Sequence, residues 1–298
     1  MFKHAAVALD LSDASDVIVT CLKHFKSFGT EKLTLITVIS QSYPGGASTL
    51  DISDYERKLE SYQKQAQSQG FKTQIRLEAG INTYPPVEVL RAARDAGADW
   101  LILANRGYNK LRELLLGSTA SEILQRSTIP VFLLNIDVTG EDEFEDRKLF
   151  CVQSCRDMLK HIMHPTDFSS TAIRALRLGG PLLAPKANRW SLLHVQAASR
   201  VDLRDEEKLR QYDCEDNRRL SELEQELKNL GAGSIRLSIR YGAPAQEILK
   251  ETNEQNAGML LMGSQGRGFI QQLFFGGVSL QVARLSRVPI LFIPAERD

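Results

Sequence analysis

The sequence predicts an α/β protein made of two tandem domains, each a doubly wound parallel sheet flanked by helices. Three observations lead to this prediction: the two halves of the chain repeat each other, strands alternate with helices within each half, and the run GMLLMG (258–263) is apolar almost throughout. Such a run is typical of a strand that is buried on both faces of a parallel sheet. The alternation of strands and helices favours parallel βαβ units.

The repeat is visible at both ends of each half. HAAVALDLSDAS (4–15) aligns with HIMHPTDFSSTA (161–172), which places Asp10 on Asp167 at an offset of 157 residues. RGYNKLRELLLGSTASEILQRSTIPVFLL (106–134) aligns with QGRGFIQQLFFGGVSLQVARLSRVPILFI (265–293), at an offset of 159 residues. Because the offset changes so little along the half, we interpret the chain as a duplication.

The predicted domains are residues 1–138 and 160–298, joined by a linker at 139–159. The first part of the linker, TGEDEFEDRK, is acidic and begins with turn residues, as is typical of a solvated connection. The second part, LFCVQSCRDML (149–159), fits either a short helix or an extra strand.

The second half begins with a predicted strand at 161–166. A helix follows from Ser169, which together with Asp167 offers capping oxygens. RWSLLHV (189–195) is the second predicted strand. The next helix, predicted at 203–230, carries leucines on one stripe and should pack along it. These leucines are Leu220, Leu223, Leu227 and Leu230.

The rest of the half continues the alternation. SIRLSIRYG (234–242) alternates apolar and polar residues and predicts a third strand. The following helix, predicted at 243–256, tolerates Pro244 in its first turn. After the apolar strand, another helix begins near Gly277, and VPILFIP (288–294) closes the half. The repeat predicts the same order of elements in the first half.

Charge and hydropathy argue against several classes of protein. The 298 residues include 37 basic and 37 acidic side chains, so the formal net charge is zero. A general nucleic-acid binder usually has a basic excess. No apolar run approaches the ~20 residues that cross a bilayer, and MFKHAAVALD breaks at Asp10 before a signal-peptide core forms. We therefore expect no nucleic-acid partner and no membrane segment.

The four cysteines are no disulfide framework, and their number favours the reducing cytoplasm. Cys21 and Cys214 are most simply helix residues. Cys151 and Cys155 could form a metal pair, but the five histidines show no ligand-like spacing with them, so no metal site is predicted. No pairing of a nucleophile with a base is recognisable either, so no catalytic residue is predicted.

Glycines cluster in GSQGRGFIQQLFFGG (263–277), between a predicted strand and a predicted helix. Ligands of open parallel sheets bind at the carboxyl ends of strands where the strand order reverses, and a helix N-terminus favours an anion. The glycines therefore predict a phosphate cradle, and the alternative is a sharp turn without a ligand. The dinucleotide motif fails at Gln271, and no P-loop or nucleophile-elbow motif occurs.

The spacing G-x2-G-x9-G resembles that of the nucleotide-binding members of the universal stress protein family. Further marks of that family stand in order along the chain, and together they cover nearly all of both halves outside the linker. They are an Asp with a Ser two residues later (Asp10 and Ser12, Asp167 and Ser169), the pair His194-Val195, and the series Gly242, Pro244 and Ile248. A Val-Pro or Ile-Pro strand closes each half.

The resemblance implies a five-stranded parallel sheet of order 3-2-1-4-5 in each domain and a stress-response regulator that binds ATP with Mg²⁺. In ATP-binding relatives, the first-strand Asp and the end of the second strand hold adenine and ribose, and the glycine loop with its Ser or Thr holds the phosphates. The residues carried over in the second half are Asp167, Val195, Gly263, Gly266 and Gly276, with Arg267 beside the cradle. Two alternatives stay open: Asp10 and Asp167 could be plain helix caps, and Arg267 could simply be solvated.

Both halves depart from the family pattern, and the first half also stretches the Gly-Pro-Ile series to Gly80, Pro86 and Leu90. In the second half, Gly277 stands where a Ser or Thr hydroxyl is expected, and Ser279 or water could replace it. In the first half, Ala104 replaces the first glycine, and its methyl group cannot be removed. The C-terminal half is therefore predicted to be the better nucleotide site. The family positions kept in the first half are Asp10, Val38, Gly107, Gly117 and Ser118.

Two functions follow from these residues. One is an ATP-binding stress-response regulator, at most a slow ATPase, and the other is a nucleotide-free pairing module that acts through protein contacts. Each half ends in an apolar strand, IPVFLL (129–134) or VPILFI (288–293), and an exposed apolar edge invites pairing. We expect the two halves to cover each other's edges, and the resemblance to tandem members suggests a homodimer.

Overall fold

The computed structural model describes residues 1–41, 52–105, 116–139, 148–151, 155–197, 206–266 and 275–296. The chain divides into two compact units, Met1–Cys155 and Arg156–Asp298. Unit 1 therefore includes most of the segment predicted as a linker. Each unit contributes five parallel strands with helices packed against them.

Unit 1 has the predicted strand order. Its parallel strands run β3-β2-β1-β4-β5 across the sheet. They are β1 (His4–Ala8), β2 (Lys32–Gln41), β3 (Lys72–Ile81), β4 (Trp100–Ala104) and β5 (Val131–Leu134). The helices are α1 (Asp13–Cys21), α2 (Ser53–Ser68), α3 (Pro85–Asp95) and α4 (Ser118–Arg126), and a 3₁₀ helix, Leu22–Phe28, extends α1.

The predicted linker contains regular structure. Strand β6 (Ile136–Thr139) pairs antiparallel with β7 (Lys148–Cys151), and a short 3₁₀ helix follows at Cys155–Asp157. The segment 149–159, for which the sequence left helix and strand open, therefore begins as a strand. Pairing with β6 decides this, because a partner strand is a tertiary feature that local propensity does not record.

Unit 2 repeats the order of unit 1. Its parallel strands run β10-β9-β8-β11-β12, so the order 3-2-1-4-5 is confirmed in both units. The strands are β8 (Ile162–Thr166), β9 (Arg189–Ala197), β10 (Ser234–Gly242), β11 (Met259–Gly263) and β12 (Ile290–Ile293). The helices are α5 (Ser170–Leu183), α6 (Glu206–Asn229), α7 (Pro244–Glu254) and α8 (Gly277–Leu285).

Several local predictions are confirmed. Every residue of β11 is buried, as expected of a continuous apolar strand in a parallel sheet. Pro244 begins α7, where its missing N–H costs no helical hydrogen bond. The leucine stripe of α6 faces the core, with Leu220 and Leu227 fully buried. None of the helices in the described ranges is long and apolar enough to span a membrane.

One histidine in each unit, at equivalent positions, links the first strand to its neighbours. His4 Nε2 lies 2.8 Å from Thr34 Oγ1, and its Nδ1 lies 3.1 Å from the Gly97 carbonyl oxygen. His161 Nε2 likewise lies 2.8 Å from Ser191 Oγ, and its Nδ1 lies 3.1 Å from the Gln255 carbonyl oxygen. Each ring ties the first strand to the second strand and to the turn after the third helix. The repeat alignment already indicated this similarity, because its first aligned residues, His4 and His161, are both histidines.

The cysteine prediction needs a correction. Cys21 and Cys214 are helix residues as predicted, but Cys21 also forms a disulfide with Cys155 within unit 1. The partners are 134 residues apart in sequence, with Cα atoms 6.0 Å apart. Cysteine spacing cannot reveal such a pairing, because it depends on where the fold places the end of α1 and the segment after β7.

The disulfide can be checked directly. We expect a peptide map prepared under non-reducing conditions to contain a fragment that joins Cys21 to Cys155, because their thiols meet in the folded unit. A thiol reductant should split this fragment into two peptides. Separate peptides for both cysteines before reduction would contradict the pairing.

Candidate functional site

The predicted site residues of unit 2 lie where the strand order reverses. Strand β8 is flanked by β9 and β11, and the chain leaves it in one direction for β9 and β10 and returns on its other side as β11. In open α/β sheets, the carboxyl ends of strands at such a point form a crevice for ligands. Asp167 directly follows β8, and Gly263 is the last residue of β11.

Asp167 holds the loop between β8 and α5. Its Oδ1 accepts a hydrogen bond from the Ser169 N–H at 3.0 Å, and Ser169 is the N-cap of α5, whose hydroxyl accepts from the Ala172 N–H at 3.3 Å. Phe168, between them, has a φ of 57°, a left-handed conformation that side chains rarely adopt. The loop is therefore constrained around the carboxylate, as the helix-cap alternative expects.

Asp10 accepts several hydrogen bonds in unit 1. Its Oδ1 accepts from the Ser12 N–H at 3.0 Å, from the Ser12 hydroxyl at 2.6 Å and from the Ser15 hydroxyl at 3.0 Å. Leu11, at the place of Phe168, has a φ of 59°. The backbone of this loop is thus the same in both units, while Asp10 is bound by two hydroxyl groups that also stabilise the start of α1.

Three of the predicted glycines approach other parts of the site closely. A Cβ atom on Gly263 would lie 2.9 Å from the carbonyl carbon of Thr171 in α5. A Cβ on Gly266 would lie 2.6 Å from Asp167 Oδ2, and a Cβ on Gly276 would lie 3.6 Å from the Gly266 nitrogen. The structure therefore brings Asp167, Gly266 and Gly276 together. It also gives Gly263 a packing reason for having no side chain, because α5 passes directly over it.

The glycine loop closes onto the N-terminus of α8. Gly276 is the N-cap of this helix, and its N–H donates to the Ser264 carbonyl oxygen at 2.8 Å. Unit 1 has the same closure, from the N–H of Gly117, the N-cap of α4, to the Asn105 carbonyl oxygen at 2.8 Å. The first N–H groups of a helix have no partner within it and carry the positive end of its dipole. Each loop therefore presents a helix terminus suited to an anion.

The position after each N-cap differs between the units. Gly277 is the first residue of α8, and a Cβ atom there would meet no atom of the described residues within 4 Å. Ser118, its counterpart in α4, is exposed. Ser279, predicted to replace the missing hydroxyl, is instead buried, and its hydroxyl donates to the Gly263 carbonyl oxygen at 3.0 Å. Its hydrogen-bond donor therefore ties α8 to the end of β11.

The remaining predicted residues lie at strand ends or outside the described residues. Val195 near the end of β9 and Val38 near the end of β2 are both half-buried. Ala104 ends β4 and is buried. Gly107 and Arg267 lie outside the described residues, so their predicted roles stay predictions.

A polar cluster behind Asp167 was only partly foreseen. His194 on β9 is buried and its Nδ1 lies 2.7 Å from the Thr166 carbonyl oxygen. Its Nε2 lies 3.4 Å from Asp216 Oδ2 on α6. Gln196 Nε2 donates to the same oxygen at 2.9 Å. In the sequence, this cluster is indicated by His194 and Gln196, two polar residues two positions apart near the end of an apolar strand.

Known proteins resemble the chain over both units. The family model described as the universal stress protein family matches residues 1–135 and 158–294. The universal stress protein MJ0577 of Methanocaldococcus jannaschii is 27% identical over 157 residues, which cover 45% of this chain and 95% of that protein. The universal stress protein YxiE of Bacillus subtilis is 24% identical over 147 residues, covering 45% and 99%.

A solved structure has the same fold along the whole chain. The crystal structure of a universal stress protein from Archaeoglobus fulgidus superposes with a TM-score of 0.71 and covers 99% of both chains, at 23% sequence identity. At this identity the likeness concerns the fold alone. The family model, however, matches each of the two units separately. The chain therefore belongs to the universal stress protein family and carries two domains of that family in tandem.

Proposed function

We propose that unit 2 binds ATP with Mg²⁺ and that the protein acts as a cytoplasmic stress-response regulator whose state depends on this nucleotide. The observation that carries the proposal is the meeting of Asp167, Gly266 and Gly276 at the N-terminus of α8. These residues come from separate segments of the chain, and each matches a nucleotide-binding position of the family.

The chemistry of the site suits a nucleotide. The start of α8 offers backbone N–H groups and a positive dipole end to the phosphates. Gly276 leaves the approach to these groups without a side chain, and no atom of the described residues fills the space beside Gly277. Asp167, half-buried, offers carboxylate oxygens to the hydroxyl groups of a ribose. A negatively charged phosphate tail at the helix and a ribose at Asp167 would thus be complementary to their neighbours.

A comparison of the units favours unit 2. Ala104 places a methyl group at the end of β4, where unit 2 has Gly263. Overpacking of a tight site costs roughly 1–3 kcal/mol, and the lost hydrogen bond at Gly277 costs about 1.5–3 kcal/mol. The ranges overlap, so the decision rests on whether each defect can be compensated. Water can reach the open space beside Gly277, whereas the Ala104 methyl cannot be displaced.

Restoring the missing hydroxyl tests the choice of unit. We expect Gly277→Ser to tighten Mg-ATP binding about tenfold in isothermal titration calorimetry, because one hydrogen bond to a phosphate contributes about 1.4 kcal/mol or more. Gly277→Ala is the matched control, since it adds the same Cβ atom in the same open space without the hydroxyl. If Gly277→Ser equals Gly277→Ala while Ser118→Ala weakens binding, the working site lies in unit 1.

The second candidate function is a nucleotide-free pairing module. It is favoured by the contacts of Gly263 and Gly266, whose missing side chains are also accounted for by Thr171 and Asp167 without any ligand. Denaturing freshly purified protein and searching the supernatant for ATP, ADP or AMP by mass spectrometry separates the two. If no nucleotide is released and Mg-ATP gives no heat on titration, the pairing module is favoured, and analytical ultracentrifugation should then find a homodimer.

A further inference from the structure

A group of hydrogen-bonding side chains, of which His194, Gln196 and Asp216 are buried, lies between α6 and the ends of β9 and β10. His194 and Gln196 project from β9 toward Asp216 and Asp213 on α6. Gln196 Nε2 donates to Asp213 Oδ1 at 3.0 Å and to Asp216 Oδ2 at 2.9 Å. The Tyr241 hydroxyl on β10 donates to Asp213 Oδ1 at 2.5 Å. Two carboxylates and one imidazole are thus held together, with His194 and Asp216 largely shielded from water.

The hydrogen atoms of this group can be assigned from its partners. A carbonyl oxygen only accepts hydrogen bonds, so His194 Nδ1, 2.7 Å from the Thr166 oxygen, carries a proton. A neutral ring would then present a lone pair at Nε2 to Asp216 Oδ2, 3.4 Å away, and two acceptors would face each other. A second proton on the ring turns this contact into an ion pair.

The surroundings favour placing that proton on the imidazole. Gln196 Nε2 donates to Asp216 Oδ2, and a donated hydrogen bond favours the ionised carboxylate. The Asp213 carboxylate lies in the same group and adds negative charge. Burial, with the hydrogen bond to Asp213 acting in the same direction, raises the pKa of Tyr241 to about 12, so the phenol keeps its proton near neutral pH. The nearby cation is Arg219 of α6, whose guanidinium lies 5.4 Å from the centroid of the Phe168 ring.

His194 contacts both neighbours of Asp167. Its Nδ1 bonds the Thr166 carbonyl, and its ring packs against the Phe168 ring at a centroid distance of 4.6 Å. Thr166 Oγ1 in turn accepts from the Phe168 N–H at 3.0 Å. The left-handed Phe168 is therefore fixed from two sides, and with it the direction in which the Asp167 carboxylate points.

We propose that His194 and Asp216 share one proton as an imidazolium–carboxylate pair and that this pair positions the Asp167 loop for the nucleotide, an inference that rests on the proposed ATP site of unit 2. Loss of the proton would leave two acceptors in contact and loosen the attachment of β9 to α6. His194 and Asp216 are thus positioning residues that make ATP affinity depend on pH.

The described residues of unit 1 contain no counterpart of the His194–Asp216 pair. Thr37 stands at the place of His194, and its buried hydroxyl has no hydrogen-bond partner among the described residues. There the loop is held differently, by Lys58 Nζ of α2, which donates to the Leu11 carbonyl oxygen at 2.7 Å. The pH dependence therefore belongs to unit 2, and Thr37→Val, which removes a hydroxyl at the matching position of unit 1, is a suitable control.

The test combines calorimetry with NMR on the full chain. We expect titrations at about pH 8 to give a Kd of Mg-ATP about tenfold higher than titrations at about pH 5.5, because the ion pair between His194 and Asp216 is lost. Asp216→Asn keeps the shape but removes the charge that retains the proton, so its affinity should lack this dependence. Since ATP itself titrates in this range, the quantity to compare is the ratio of the wild-type Kd to the Asp216→Asn Kd at each pH.

The NMR measurement distinguishes failure of the positioning pair from failure of the proposed nucleotide site. Without nucleotide, the His194 ring nitrogens should both be protonated at low pH, and the Asp167 and Phe168 amide signals should shift together with the ring as the pH rises. This joint shift should vanish in Asp216→Asn and persist in Thr37→Val. If no ATP binds at any pH but the joint shift is seen, the proposed function fails and the positioning pair stands. A Kd ratio independent of pH, or ring and loop signals that move separately, would overturn the inference.

Discussion

Replacing Gly266 by valine should weaken Mg-ATP binding at least about a hundredfold while leaving unfolding cooperative. A Cβ atom at this position would lie 2.6 Å from Asp167 Oδ2, closer than such atoms approach each other, so the carboxylate must turn away or the loop must move. Either shift separates two of the three groups that meet at the start of α8. A hundredfold loss corresponds to about 2.7 kcal/mol, within the roughly 1–3 kcal/mol that overpacking costs.

A double-mutant cycle shows whether the effect passes through Asp167. Titration calorimetry of Gly266→Val, Asp167→Ala and the double variant should show that the double variant binds no more weakly than the weaker single variant, since both remove the same contact. Gly277→Ala, which adds a methyl in open space, should bind ATP like the wild type. Unchanged affinity in Gly266→Val would leave the glycines with the role of a turn alone.

The backbone of the fold could be predicted because both halves of the sequence contain the same local signals at aligned positions. Ser12 and Ser169 cap α1 and α5, and Gly117 and Gly276 cap α4 and α8, each pair at aligned positions of the repeat. Caps and strand patterns are local signals, so a few neighbouring residues are enough to read them. The pairing of neighbouring strands in the sheet confirms the strand order that the resemblance implied.

The details of the site depend on contacts that are distant in sequence. Ser279 has the right residue type to bind phosphate, but its rotamer turns the hydroxyl toward Gly263 at the end of β11. The pairing of His194 with Asp216 requires α6 to pack on β9, and the disulfide of Cys21 requires the segment after β7. Side-chain direction follows from packing, which sequence spacing does not specify.

The second large effect concerns stability at low pH and comes from His164. This residue of β8 is fully buried, with Nδ1 2.8 Å from the Leu261 carbonyl oxygen, and its Nε2 has no hydrogen-bond partner in the part of the chain that the structure describes. Burial lowers the pKa of its imidazole from 6.5 to about 4, against the opposite influence of the Leu261 carbonyl and Asp167. The unfolded chain therefore takes up a proton at this ring below about pH 6.5, whereas the folded chain does so only near pH 4. Folding stability must fall as the pH drops through this interval.

His164→Val should remove this loss. Val7, at the aligned position of unit 1, is also fully buried, so valine already occupies the equivalent core position in this chain. At about 1.4 kcal/mol per pH unit, the wild type should lose about 2–3 kcal/mol more unfolding free energy than the variant between about pH 7 and pH 4.5. At neutral pH the unfolding free energy of the variant should lie within about 1–3 kcal/mol of the wild-type value. This is the size of the cost expected when the Leu261 carbonyl loses its hydrogen-bond donor.

The two tryptophans allow the measurement to be confined to unit 2. Trp100 lies in β4 of unit 1 and Trp190 in β9 of unit 2, and both are fully buried. In a Trp100→Phe background, urea unfolding followed by Trp190 fluorescence reports on the unit that contains His164. Burial also lowers the pKa of His4 and of His161, but both histidines are present with and without the substitution, so their effects cancel in the difference. Parallel pH profiles for the two proteins would mean that the buried ring of His164 does not resist protonation, and the acid sensitivity of unit 2 would then have to come from other groups.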